Sequence, residues 1–292
     1  MKIGFIGFGE AAYHLALGLK EEGLGGIRAA DALQDHPTRG ALVRDRAREA
    51  GVELLPDNRA VAEWADMVWC VTPAQFARAA LESVLDVLRP EQLYLDLSSS
   101  TPAAKAALGE LAAGTGVRFA DGAMLGSLPA SRHKVQIIAC GPGAEAFKEA
   151  MDPWGMNIQL HPGAPGAACA VKLVRSIYMK GLEALLLELL EGAEAYGVTE
   201  DVLPTVCATM DKDPFREILD RLVTGMAVHC KRRGDEIRGS VEMLREAGID
   251  PCMCEAAVKR HEALEPYGFA DRFAGKKPVW QDVLAVLKDK ED

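Results

Sequence analysis

Across residues 1–162, short apolar runs alternate with longer stretches of helical period. Strands are predicted at 2–7, 26–30, 67–71, 93–97, 117–121, 135–140 and 157–161. Several are near-continuous apolar runs, as expected for strands covered on both faces. Ala-rich segments at 75–88 and 101–113 lie between them and read as helices, the second opened by a Thr-Pro start signal. Strand–helix alternation of this kind predicts an α/β fold with a parallel, doubly wound sheet. The texture changes at Pro162-Gly163-Ala164-Pro165-Gly166, a cluster of breakers. Beyond it no strand is predicted. Residues 167–196 form one apolar helical run, ~45 Å long at 1.5 Å per residue. It is apolar on most faces and is expected to be the buried centre of an all-α domain. Further helices are predicted at 213–230, 239–247, 251–264 and 280–288. The expected organisation is a doubly wound domain over 1–162 and an all-α domain over 163–292.

Composition narrows the partners. Lys and Arg number 33 against 43 Asp and Glu, a net charge of −10, which argues against nucleic acid or an anionic membrane surface. With 49% apolar and 26% charged residues, the balance is that of a globular protein. The longest uncharged stretch, 153–171, holds three prolines and three glycines and cannot span a membrane. The opening residues break into glycines too soon for a signal peptide, so a cytoplasmic location is expected. Seven cysteines are scattered without the spacing of a zinc knuckle. Cys252 and Cys254 with His261 are the nearest to a metal set, but a C-x-C pair lacks the usual ligand spacing. Reduced thiols are the expected state, with no metal.

The first predicted strand runs into Gly7-Phe8-Gly9-Glu10-Ala11-Ala12, a G-x-G-x-x-A. Gly7 permits the tight turn, Gly9 lets backbone approach a pyrophosphate, and Ala12 allows close helix–strand packing. An amphipathic helix follows, then a second strand ending in Asp31, whose carboxylate suits an adenosine ribose. This context makes the domain Rossmann-type and the cofactor a dinucleotide. Asp31 favours NAD; Arg39, Arg44, Arg46 and Arg48 follow, and one of them near that corner would instead suit the phosphate of NADP.

With these residues the sequence resembles the β-hydroxyacid dehydrogenase family, which includes 3-hydroxyisobutyrate, tartronate-semialdehyde and 6-phosphogluconate dehydrogenases. Four stretches in order carry the resemblance: the Gly7 fingerprint; Val71-Thr72-Pro73; Asp96-Leu97-Ser98-Ser99-Ser100-Thr101-Pro102, similar to the family's D-x-S-T-x-x-P loop; and the segment from Asp121 to Ser127, similar to its D-x-P-x-S-G-G substrate loop. Gly163, Gly166 and Lys172 then match the family's catalytic helix. The resemblance implies that Lys172 is the general acid/base, that Val71, Thr72, Pro73 and Ser98 line the cofactor, and that Leu125, Gly126 and Ser127 meet the substrate. A lysine suits the task, because desolvation and a nearby positive ring depress its pKa towards neutrality.

Departures from the family pattern shape the expectation. Ser176 stands where the family has Asn, on the same helix face as Lys172, and can still hydrogen-bond a substrate oxygen. Met179 replaces the glutamate acid of phosphogluconate dehydrogenase; a thioether cannot protonate an enediol, which argues against oxidative decarboxylation. Leu125 replaces a serine and makes the pocket more apolar. Lys180, with His229, Arg232, Arg233 and Glu236, resembles a sub-branch whose C-terminal domain has no characterised role. The i, i+3, i+4, i+7 spacing of the last four puts them on one helix face. Two readings stand: a cationic wall for an anionic substrate, or a solvated face with i,i+4 ion pairs. Lys180, about 12 Å along the axis from Lys172, is expected to hold a distal anion.

The expected activity is hydride transfer between NAD(P) and the hydroxyl-bearing carbon of a small organic acid. Two alternatives remain open, a C=N reductase and a non-catalytic dinucleotide-binding protein. The partners expected are a small anionic substrate and a second copy of the chain. His14 and Trp69 read as packing residues, Trp64 likewise, and His133 as an exposed loop residue. His161 receives no role.

Overall fold

The computed structural model describes residues 1–289. The chain divides into two compact units, Met1–Ile177 and Tyr178–Asp292. In the first, strands and helices alternate: β1 (Ile3–Ile6), α1 (Glu10–Glu21), β2 (Ile27–Ala30), α2 (Gly40–Glu49), β3 (Glu53–Leu54), α3 (Asn58–Trp64), β4 (Met67–Cys70), α4 (Ala74–Glu82), β5 (Leu93–Asp96), α5 (Pro102–Ala113), β6 (Arg118–Leu125), α6 (Leu128–Ser131), β7 (Gln136–Cys140), α7 (Ala144–Met151) and β8 (Ile158–Leu160). Helix α8 (Ala167–Ala195) begins in this unit and continues into the second, which adds α9 (Thr199–Met210), α10 (Phe215–Val228), α11 (Cys230–Glu246), α12 (Cys252–Leu264), α13 (Phe269–Arg272) and α14 (Trp280–Lys288). Among the described residues no helix is long and apolar enough to cross a membrane.

The eight strands form one sheet in the order β3-β2-β1-β4-β5-β6-β7-β8. Strand order reverses between β1 and β4, the switch point at which α/β sheets open a crevice beyond their carboxyl ends. Five strands, β1, β2, β4, β5 and β6, alternate their apolar side chains between two cores. Ile3, Phe5, Trp69, Leu93 and Leu95 pack beneath α1, α2 and α7, and Phe5 and Phe147 each meet Trp69 edge to face, at 5.3 and 5.6 Å. Val68, Cys70, Tyr94 and Phe119 pack against α3, α4 and α5 on the other side. Burial on both faces explains why these strands read as unbroken apolar runs.

Several expectations are corrected. The sheet is not wholly parallel: β6 and β7 pair antiparallel, because the ten residues between them are too few for a crossover helix to return the chain. Strand β6 extends to Leu125, which pairs with Gln136, so most of the expected substrate loop is strand. The two-residue β3 and helices α3, α7 and α9 were not predicted. His133 is buried rather than exposed: its ring packs on Gly18 of α1, its Nε2 lies 3.5 Å from Glu22, and burial pushes its pKa down. Helix α8 is not a buried rod. Ile177 is 75% exposed, Val174 65% and Leu187 61%.

The second unit has a small core of Ala227, Leu264, Phe269 and Val283, drawn from α10, α12, α13 and α14. The buried Glu188 carboxylate on α8 accepts from the Met253 and Cys254 amides, at 2.7 and 2.8 Å, and so caps α12. Burial pushes its pKa up, and these hydrogen bonds more than offset the effect and hold it below the ordinary range. Gly234 is buried where α11 packs on His261 of α12.

Candidate active site

The glycine loop follows β1 at the switch point. Gly7 has φ +87°, and a Cβ there would lie 2.9 Å from both Val71 O and Thr72 Cγ2, so only glycine fits beside the Val71-Thr72-Pro73 segment. Strand ends are locked in register here: Gly7 N donates to Ala30 O and Val71 N to Ile6 O. At Gly9 a Cβ would meet nothing within 4 Å. That open space adjoins the start of α1, whose N-cap Gly9 offers no side chain to its first-turn amides. A helix N-terminus with free approach to its backbone suits a pyrophosphate. Phe8 and Ala12 are buried, Ala11 half-buried and Glu10 exposed. Asp31 braces the loop, accepting from Phe8 N at 2.7 Å through Oδ2 and from Leu33 N at 2.8 Å through Oδ1. Each carboxylate oxygen retains acceptor capacity for a ribose hydroxyl. The residues present therefore fit a dinucleotide.

Beyond β5 the serines differ in direction. Ser98 is buried, its hydroxyl and amide both bound to Asp96 at 3.0 Å. Ser99 is exposed, and the Lys172 amine donates to its Oγ at 2.6 Å. Burial first, and the nearby Lys105 cation second, push the Lys172 pKa below the ordinary lysine value. The structure thus brings Lys172 to the loop that the sequence had associated with the cofactor. Ser176 lies one turn further along α8, half-buried.

Lys105 was missed. It is fully buried on α5, 2.9 Å from Asp96 Oδ2 and 3.0 Å from Asp121 Oδ1, and it donates to Asp96 O at 2.8 Å. Burial alone would push this amine down, but the two carboxylates more than offset it and hold the pKa above the ordinary value. Asp121 Oδ2 accepts from Gly166 N at 2.9 Å and Cys169 N at 3.3 Å, at the start of α8. The one available signal was position: Lys105, Leu108 and Ala112 share the buried face of α5.

The remaining candidates are less concentrated. Leu125 ends β6 half-buried, and Gly126 (φ +138°) and Ser127 are exposed just beyond it. In the second unit Lys180 and His229 are exposed, the latter between α10 and α11. Arg232 pairs with Glu236 on the solvated face of α11, and the Arg233 guanidinium lies against Gly225 of α10. These contacts favour the i,i+4 ion-pair reading over the cationic wall. Among the described residues, no cluster of three or more His, Cys, Asp or Glu is arranged to hold a metal.

Known proteins resemble this chain over much of its length. A conserved protein of unknown function, whose structure is described as similar to 3-hydroxyacid dehydrogenases, is 30% identical; the match covers 91% of this chain and 97% of that one, with a TM-score of 0.59. The 2-(hydroxymethyl)glutarate dehydrogenase of Eubacterium barkeri is 27% identical over 187 residues, 61% of this chain and 59% of that protein. An imine reductase from Myxococcus stipitatus, solved with NADP+, shares the fold at 15% identity and a TM-score of 0.76, over 92% of this chain and 96% of that one. Residues 193–264 match a domain of unknown function (DUF1932). Residues 2–159, which include the glycine loop, Asp31 and the Asp96–Lys105–Asp121 cluster, match the NAD binding domain of 6-phosphogluconate dehydrogenase, and the chain belongs to that family.

Proposed function

We propose that this protein transfers hydride between a nicotinamide dinucleotide, NAD in preference to NADP, and the hydroxyl-bearing carbon of a small anionic β-hydroxy acid. Lys172 is the general acid/base. The observation that carries this reading is the half-buried Lys172 amine, held on Ser99 and with its pKa pushed below the ordinary lysine value by burial and by Lys105. A neutral amine takes the hydroxyl proton as the carbon is oxidised, and the ammonium returns it in reduction. The dinucleotide, bound by residues 7–12 and Asp31 beside Val71, Thr72 and Pro73, supplies the hydride acceptor or donor. Ser176 orients the substrate oxygen. The backbone near Gly126 and Ser127 offers amides to a carboxylate, with Leu125 as an apolar wall. The likeness to 2-(hydroxymethyl)glutarate dehydrogenase supports the substrate class, since its named substrate carries a hydroxyl on the carbon β to a carboxylate. The protein would act as a homodimer in a reducing, cytoplasmic setting, for which its seven free cysteines are suited.

The test is an absorbance screen of NAD reduction over 2- and 3-hydroxy acids, including phosphonates, sulfonates and sugar acids. Cyclic imines are assayed in parallel with NADH and NADPH. Turnover of a hydroxy acid that is lost in Lys172→Met supports the reading. Preferential reduction of imines would replace it with C=N chemistry, and no turnover with tight NAD binding would leave a dinucleotide-binding protein.

A further inference from the structure

Lys105 touches both roots of the Lys172–Ser99 contact. Through Asp96 it holds the base of the serine loop, where Ser98 binds back to the same carboxylate. Through Asp121 it holds the carboxylate that grips Gly166, just before α8, and Cys169 in the first turn of α8, three residues before Lys172. The Cys169 thiol meets Ser100 O at 2.6 Å and closes the same junction from the other side. A buried lysine with two carboxylates is an expensive way to stabilise a fold, because apolar side chains of similar volume commonly do as well. Its cost is explained if the charges serve the site.

We propose that Lys105 is the positioning residue for Lys172: its buried ammonium ties the root of the serine loop to the root of α8 and stands as a fixed cation near the amine that moves the proton. The proposal rests on Lys172 being the acid/base of the site. Four groups face Lys172 from the elements around it: Lys105 from α5, Asp121 from β6, Cys169 from α8 itself and the Ser99 hydroxyl from the loop after β5. The cluster is flanked in turn by the Cys70 and Tyr94 side chains beside Asp96 and the Cys140 thiol beside Asp121. Lys105 makes it harder to charge Lys172, and Asp121 makes it easier.

The experiment reads Lys172 directly, without a substrate. The intact protein is labelled with acetic anhydride across a pH series, and modification of Lys172 is followed by peptide mass spectrometry. Asp121→Asn keeps an oxygen that accepts from Gly166 but removes a negative charge, so Lys172 should label several-fold faster near neutral pH. Lys105→Met removes the cation and should slow labelling. In turnover, Lys105→Met should lower kcat by up to about 100-fold with little change in KM, as misplacement of a reacting group does. Rates are compared after scaling to the plateau at high pH, which removes differences in access; a role confined to holding the fold together would loosen the site, return the Lys172 midpoint towards the ordinary lysine value and slow the scaled labelling in both variants. Slower labelling in both, or no change in either, overturns the proposal. Where Lys105→Met does not fold, Asp121→Asn decides alone: faster labelling supports the proposal, and unchanged or slower labelling overturns it. Loss of the general acid/base assignment is seen separately, as Lys172→Met retaining turnover.

Discussion

Lys172 Nζ and Ser99 Oγ stand 2.6 Å apart, so a lysine on α8 is held by the exposed hydroxyl of the loop that follows β5. Lys172→Met keeps the apolar stem and removes the amine. Turnover should fall by at least ~10²–10⁴-fold, the usual worth of general acid–base catalysis. The NAD dissociation constant, followed by fluorescence titration, should hardly move, because residues 7–12 and Asp31 are untouched. Ser99→Ala should cause a milder fall in kcat.

Lys172 titrates below the ordinary lysine value because burial and the Lys105 cation both oppose its charging. Oxidation needs the neutral amine and reduction needs the ammonium. The kcat/KM for hydroxy-acid oxidation should therefore rise with pH through a midpoint below that of a free lysine, and the reductive kcat/KM should fall through the same midpoint. Profiles that rise or fall together in both directions would exclude this assignment.

Two glycines of one loop should respond differently to the same substitution. Gly9→Ala places a methyl group in open space, so the melting temperature should hold while NAD binding weakens. Gly7→Ala forces a Cβ against Val71 and Thr72 at positive φ. It should cost at least about 1–2 kcal/mol of stability from the backbone conformation alone, and lose NAD as well. Thermal melts with and without NAD separate the two.

Asp31 serves both the protein and its ligand. Asp31→Ala leaves the Phe8 and Leu33 amides without their carboxylate, and should lower stability by about 2 kcal/mol, in the range for hydrogen bonds to a charged group. The wild-type carboxylate should also repel a ribose phosphate and make NAD bind more tightly than NADP. Calorimetric titration of both cofactors checks the order, and tighter NADP binding would point to Arg39 or Arg44.

Val174, Ile177 and Leu187 leave an apolar surface on α8 that a second copy of the chain would cover. Light scattering at micromolar concentration should give about twice the 31.4 kDa chain mass, and Ile177→Glu should shift the protein towards monomer. A wild-type monomer removes the claim.

Strands were legible wherever both faces are covered, because sequences such as Met67-Val68-Trp69-Cys70 then have no polar position to blur them. Strand β3 was not, since two residues, one of them Glu53, carry no period. The antiparallel turn of β7 was hidden because strand direction leaves no mark on an apolar run; only the short connection from β6 could have given it away. Lys172 could be found by resemblance. Lys105 could not, because in an Ala-rich helix a lysine reads as a solvated face, and its burial depends on carboxylates that arrive from β5 and β6. Helix α8 misled in the opposite sense: apolar character on most faces suggested burial within one chain, where the structure leaves many of those residues exposed.

The bonds from Asp121 forward to Gly166 and Cys169 reach across 45 and 48 residues. They bear on the order in which the chain matures during synthesis. When β8 has been made, every strand of the sheet exists, yet Asp121 still lacks two amide donors that lie beyond the Pro162 breaker. A nascent chain folded to that point would hold the lysine–carboxylate cluster with its acceptors only partly met. The Asp121 carboxylate is satisfied only by the start of a helix that follows the last strand, so its hydrogen bonding is complete only once residue 169 has been made.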